Sequence, residues 1–204
     1  FEVEAPREVN FESVEDVLGW NAQGDGKFFY GLWIPEGRIR DTDAARYRTA
    51  IREVCKRFAP GMIISPNCNL YFYGLRGEDR GPLLELLAEH GIPVPEKLTR
   101  ARKVGHACVA LPTCGLALAE SERVFSGLMD GIDALLVELG LQEEPILIRM
   151  SGCPNGCPRP YNADIAFVGR APGKYAMYLG GSFRGDRLAG LEEKTVLFDD
   201  IVPR

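Results

Sequence analysis

The chain has 204 residues, of which 46% are hydrophobic and 26% charged, and its formal net charge is −5. A polypeptide of this length buries about 70% of the surface it exposes when unfolded, so no disulfide or metal is needed merely to fold it. The acidic balance argues against a nucleic-acid partner. No apolar run approaches the roughly 20 residues that span a bilayer, so no membrane association is expected.

The chain starts at Phe1 rather than Met, with an acidic, strand-like stretch and no visible signal peptide, and it reads as a piece of a longer polypeptide. Lys27–Ile34 (KFFYGLWI) lies between Gly26 and Pro35 and predicts a strand. From Asp41 to Phe58, Ala45, Ala50, Ile51, Val54, Cys55 and Phe58 recur at helical spacing, with Asp41, Thr42 or Asp43 available as a cap. Met62–Ser65 and Asn69–Leu75 predict short strands about a Ser65-Pro66-Asn67 turn, and Gly81–His90 a second helix. This order suits a ferredoxin-like αβ sandwich. Gly91–Glu96 (GIPVPE) is the natural linker, which divides the chain into domains 1–98 and 99–204.

In the second half, Gly115–Leu139 has an apolar face of helical period, with Gly127 and Gly131 as points where it could kink or split. Pro145–Met150, Ala163–Val168 and Lys174–Leu179 predict strands. Ser151–Pro160 reads as a Gly/Pro loop and Gly169–Gly173 as a turn. The fold class expected from the whole is α+β.

Four of the six cysteines come as two close pairs. Cys108 and Cys114 form C-x5-C, ending at the predicted helix start. Cys153 and Cys157 form C-x3-C within SGCPNGCPRP. A thiolate-held cluster needs soft anionic ligands converging from loops, which both pairs allow, and Cys114 would gain from a helix dipole. Structural zinc, two disulfides and four unrelated cysteines are the competing readings of the spacing. Cys55 reads as a core residue and Cys68 as a turn residue without a ligand role. His90 reads as a helix-terminal cation, and His106 as a polar neighbour of Cys108. Trp20 and Trp33 read as packing residues. The aromatic runs Phe28–Tyr30 and Tyr71–Tyr73 lack the flanking basic residues of a single-strand-binding surface.

Two segments, Ala107–Arg123 (ACVALPTCGLALAESER) and Arg149–Tyr161 (RMSGCPNGCPRPY), resemble the cysteine motifs of the sirohaem-dependent sulfite and nitrite reductases. The likeness continues through DIAFVGRAPGKYAMYLGG (Asp164–Gly181). In the first half it covers LGWNAQGDGKFFYGLWIPEGRIRD and SPNCNLYF, which are similar to that family's ferredoxin-like repeat. It is greatest to the second half of an assimilatory sulfite reductase haemoprotein, stopping before the family's final helical segment.

The resemblance implies a [4Fe-4S] cluster on Cys108, Cys114, Cys153 and Cys157. Cys157 would be shared with the iron of a sirohaem and so be the catalytic thiolate. The amides of Asn155, Gly156 and Cys157 would serve the cluster sulfurs, with Asn155 facing the cofactor. Arg149, Arg159 and Lys174 would be candidates for the sirohaem carboxylates. The implied reaction is the six-electron reduction of sulfite to sulfide, fed by ferredoxin or a flavoprotein reductase. Substrate-gripping residues are expected in the missing N-terminal half of the enzyme. Nitrite reduction, and a cluster-only electron-transfer half needing a partner chain, are the alternatives. Gly156 favours sulfite, because the nitrite enzymes tend to carry Ser there. The implied location is cytoplasmic, or plastid in a plant or alga.

Overall fold

The computed structural model describes residues 4, 13 and 15–203. The strand-like opening expected from Phe1 falls, Glu4 excepted, outside the described residues.

Four strands, β1 (Gly19–Ala22), β2 (Phe28–Leu32), β3 (Gly61–Ile64) and β4 (Leu70–Leu75), form an antiparallel sheet in the order β1-β2-β4-β3. Helix α1 (Tyr47–Phe58) joins β2 to β3, and α2 (Arg80–Glu89) follows β4. Alternate strand residues Tyr30, Leu32, Leu70 and Phe72 point to one face. They pack there against Ala50 and Val54 of α1 and Leu83, Leu86 and Leu87 of α2. The run from β2 to α2 supplies the βαββα part of a ferredoxin-like unit. Its remaining strand, β1, precedes β2 in sequence instead of following α2, and pairs beside β2.

Helix α1 starts at Tyr47, six residues later than its apolar spacing predicts. Residues 41–46 instead form a loop closed by an Asp41–Arg46 bridge. Asp41 nevertheless caps the helix from that distance. Its carboxylate accepts from the Thr49 amide at 3.0 Å and the Thr49 hydroxyl at 2.8 Å, which serves one of the orphan donors of the first turn. These bonds, the backbone one foremost, hold its carboxyl below the ordinary range.

The second sheet takes its strands in sequence order: β5 (His106–Ala107), β6 (Ile148–Ser151), β7 (Ile165–Ala171), β8 (Lys174–Leu179) and β9 (Gly190–Leu197). Strands β5, β6 and β7 run parallel, and β8 and β9 continue antiparallel. A short helix, α3 (Arg100–Val104), leads into β5, and α4 (Glu122–Glu138) connects β5 to β6. Phe125, Leu128, Met129 and Leu136 of α4 pack on Ile148, Met150, Phe167 and Tyr175 of the sheet. Leu147, just before β6, and the alternate β6 positions Arg149 and Ser151 therefore face away from the helix.

The predicted helix over 115–139 begins only at Glu122. The amides of Leu118 and Ala119 both donate to the Gly152 carbonyl, at 2.8 and 3.0 Å, which keeps that stretch out of a helical ladder. The helix does not split at its glycines, and the space beside Gly131 is filled by Val202. The turn between β7 and β8 narrows to Pro172-Gly173.

The two sheets are joined by Arg38 and Glu122, whose guanidinium and carboxylate meet through two 2.7 Å hydrogen bonds. Arg100 of α3 adds a 2.6 Å ion pair with Glu15.

Candidate functional site

Both cysteine pairs lie where parallel strands end. Cys108 directly follows β5, and its amide continues the ladder by donating to the Met150 carbonyl at 3.1 Å. Cys153 follows β6 by two residues. The loop after β5 then turns back, with the Cys114 amide donating to Ala110 at 2.7 Å and Ala117 donating to the Cys114 carbonyl at 3.2 Å.

Gly152 fastens one loop to the other. Its amide donates to the Cys108 sulfur at 3.2 Å, and its carbonyl accepts from Leu118 and Ala119. A Cβ added at Gly152 would lie 2.5 Å from the Ala110 Cβ and 2.8 Å from the Ala119 oxygen. Behind it, a Cβ at Gly169 of β7 would lie 2.4 Å from the Gly152 oxygen. Close backbone approach therefore requires glycine at both positions. The hydroxyl of Ser121 donates to Met150 at 2.6 Å, that of Ser151 to the Cys153 carbonyl at 2.8 Å, and that of Tyr175 to Glu120 at 2.7 Å. These bonds hold the surrounding backbone.

The second loop brings its thiols to different depths: Cys153 is buried and Cys157 exposed. Gly156 and Arg159 both have left-handed backbone, at φ 68° and 54°, and this turns the chain back after Cys157. Arg149, on β6 beneath the loop, donates from Nη1 to the Pro158 carbonyl at 3.2 Å. Among the described residues, no three His, Cys, Asp or Glu side chains are gathered tightly enough to hold a single metal ion. Four thiols on two joined loops, one sulfur already accepting a backbone N–H, suit the donor set of a larger iron–sulfur group.

The remaining candidates divide. Asn155 is exposed on the second loop. Arg149 is buried, and Arg159 lies close enough for the two cations to interact. Burial first, then Arg159, push the Arg149 guanidinium down to about 10. His106 pairs with Arg149 across β5 and β6. Burial, followed by the Arg149 and Arg159 charges, pushes its imidazole down to about 4, so it is neutral near pH 7. Lys174 is exposed at the start of β8, in the hairpin beyond β7.

Two sequence expectations need correction. Cys114 lies in a turn well before Glu122, so no helix dipole acts on its thiol. Cys55 is half-buried rather than a core residue, with its sulfur 3.6 Å from that of Met62. His90 caps the C-terminus of α2, where it is buried, with Nδ1 2.9 Å from the Leu86 carbonyl and Nε2 3.6 Å from Glu53. Gly152 and Gly169 were not visible as site residues. Their only sequence signal is a glycine at a strand end, and the chain has 23 glycines.

A family model described as the nitrite/sulfite reductase ferredoxin-like half domain matches residues 21–90, the β1-to-α2 unit. The sulfite reductase [NADPH] hemoprotein beta-component of Staphylococcus carnosus is 44% identical over 196 residues, covering 96% of this chain and 34% of that protein. Residues 21–90 belong to that half-domain family, and nearly the whole chain is similar to a sulfite reductase hemoprotein. The corresponding protein of Shewanella sp. is 41% identical over 209 residues, with 98% of this chain and 37% of the relative covered. The chain thus spans about a third of the length of the curated relatives it matches. The structure of the Mycobacterium tuberculosis NirA protein superposes with a TM-score of 0.81 over 98% of this chain and 38% of that one, at 20% identity. That likeness extends the family's α+β fold across both sheets.

Proposed function

We propose that this chain is the cluster-bearing part of an enzyme that reduces sulfite to sulfide. Cys108, Cys114, Cys153 and Cys157 would hold a [4Fe-4S] cluster, and Cys157 would also serve a sirohaem. The observation that carries the reading is the fastening of both thiol loops at Gly152, joined to the 41–44% identity with proteins named sulfite reductase hemoprotein. When bound, the joined cofactors supply the single-electron steps that a six-electron reduction needs.

The chain's own residues have definable parts in this. The Gly152 amide, donating to Cys108, fixes the direction of that sulfur. Arg149 steadies the turn after Cys157 through the Pro158 carbonyl. The exposure of Cys157 leaves its sulfur open to a flat macrocycle, with Asn155 beside it. Arg149, Arg159 and Lys174 are the proposed cationic contacts for the sirohaem carboxylates.

Two domains, 1–98 and 99–204, fit the separate hydrophobic clusters of the two sheets. The substrate-gripping residues belong to the rest of the polypeptide. NADPH in the relatives' names favours a flavoprotein over ferredoxin as the donor. The relatives compared are bacterial, which favours the cytoplasm over a plastid. No helix of the described residues is long and apolar enough to cross a membrane.

The test is iron, zinc and acid-labile sulfide per chain in the full-length protein purified without oxygen. About four irons with four sulfides, and about a fifth iron for sirohaem, are expected. Stoichiometric zinc without sulfide in folded protein would overturn the reading. Turnover of nitrite in preference to sulfite would reassign the substrate.

A further inference from the structure

Where the first sheet's domain meets α3 and α4 lies a cavity of about 450 Å³, lined by Trp33, Glu36, Arg40, Tyr47, Pro93 and Asp130, among others. That volume falls within the range of about 300–1,000 Å³ common for small-molecule sites. Fixed backbone forms one wall. The Arg46 amide donates to the His90 carbonyl at 2.9 Å, and a Cβ added at Gly91 would lie 2.3 Å from the Ala44 oxygen. None of the lining residues is a paired cysteine or a proposed contact of the sirohaem.

Two opposite charges and one hydroxyl face this cavity without partners. Tyr47 is 5% exposed, and its hydroxyl has no hydrogen-bond partner. A buried hydroxyl left so is costly. The turn Pro35–Gly37 after β2 holds Glu36 at φ 49°. Among the described residues its carboxylate forms no ion pair. Two of the lining cations are engaged elsewhere: Arg38 by Glu122, and Arg102 by Asp130 at 2.6 Å and by Asp133. Arg40 is exposed and has no such partner among the described residues. It lies close enough to Glu36 for the two charges to interact, yet they do not pair. Burial foremost, with Glu122 and Asp130, pushes the Glu36 carboxyl up to about 7, against Arg102 and Arg40. Burial also raises the Tyr47 hydroxyl, which keeps its proton near neutral pH and can donate or accept.

A carboxylate and a guanidinium that share a cavity without pairing suit a ligand that carries both charges. An ammonium would complement Glu36, and a carboxylate would meet the planar fork of Arg40. Trp33, Pro93 and Leu98 supply apolar wall for a hydrocarbon side chain.

We propose that this junction cavity binds a small zwitterion of the α-amino acid class, its ammonium on Glu36 and its carboxylate on Arg40. The inference does not rest on the sulfite-reducing reading.

The test titrates glycine and L-methionine in turn into the full-length holoprotein at pH 8, read by calorimetry, with n-butylamine and sodium butyrate as half-ligands. Saturable one-to-one binding of an amino acid is expected, with each half-ligand at least about tenfold weaker. Glu36→Gln and Arg40→Gln should each weaken amino-acid binding about tenfold, and Tyr47→Phe by a smaller factor, with circular dichroism unchanged. Absence of saturable binding by both amino acids overturns the proposal. So does binding that is unaltered in Glu36→Gln and Arg40→Gln. Butylamine binding as tightly as methionine removes the role of the carboxylate and overturns the zwitterion. Iron and acid-labile sulfide, measured separately, report on the enzyme reading alone.

Discussion

The amide of Gly152 points at the sulfur of Cys108 from 3.2 Å, although 44 residues separate the two in sequence. One backbone donor thus touches the first cysteine motif while its own residue introduces the second. Substitution here is expected to act on both loops at once. Gly152→Ala places a methyl against the Ala110 Cβ and the Ala119 carbonyl, with backbone rather than a flexible side chain in the way. Overpacking of this kind costs about 1–3 kcal/mol. The expected outcome is loss of acid-labile sulfide and a lower denaturation midpoint in urea. Gly115→Ala, whose added Cβ would meet nothing within 4 Å, serves as the control and should retain both.

The six cysteines should separate into four and two. Replacing Cys108, Cys114, Cys153 or Cys157 with Ser is expected to lower iron and sulfide per chain severely, since an alkoxide is a poor substitute for a soft thiolate. Cys55→Ser and Cys68→Ser should leave the iron and sulfide content unchanged. Loss of the cluster on either of the latter two would redraw the ligand set.

Arg38 and Glu122 tie the first sheet's domain to the start of α4. The Glu122 side chain is 6% exposed while that of Arg38 is 44% exposed, so solvent screens one end of the pair. Arg38→Ala strands a buried carboxylate. Charge-assisted hydrogen bonds of this sort are worth about 1.5–3 kcal/mol, and the lower part of that range is expected here. Equilibrium urea unfolding measures it. Glu122→Gln, which removes the charge along with one strong acceptor, should cost less than Arg38→Ala.

Glu36 carries a pH signature. Burial is the main cause, and its carboxyl is pushed up to about 7, with Arg102 opposing and Glu122 adding to the rise. The folded state therefore keeps a proton that the unfolded chain releases near pH 4.5. This contribution to stability is whole below about pH 4.5, declines as pH rises through about 7, and is flat above. Glu36→Gln should remove the decline, so that variant and wild type match near pH 4 while the variant is about 1–3 kcal/mol more stable near pH 8. Urea midpoints across that range test this, and a stability that rises with pH more in the wild type would contradict it.

Periodicity made most of the framework legible. Strands β2, β4, β6, β7 and β8 and helices α1, α2 and α4 have apolar patterns because each buries a face, while β3 is apolar in sequence although its Met62, Ile63 and Ile64 are exposed. What escaped has a physical reason in each case. Strand β5 has two residues and α3 five, too few for a period to register. Strand β9, GLEEKTVL, is mostly exposed at a sheet edge and so is written in polar residues. Strand β1 is four residues with little apolar content. The late start of α4 depends on a carbonyl 33 and 34 residues away in sequence from the amides that donate to it, which no local pattern encodes. The cysteine pairs stood out as unusual chemistry at regular spacing. Arg149 entered through the resemblance, but its burial was not legible, since a strand arginine looks the same in sequence whether it faces solvent or the interior.

The parallel pairing of β5 with β6 also fixes an order of events. His106 and Ala107 reach their partners only after all of α4 has been made and folded back. The Cys108 sulfur has no Gly152 donor until then. On the proposed ligand set, a nascent chain halted within α4 would carry only Cys108 and Cys114, half of the four thiols.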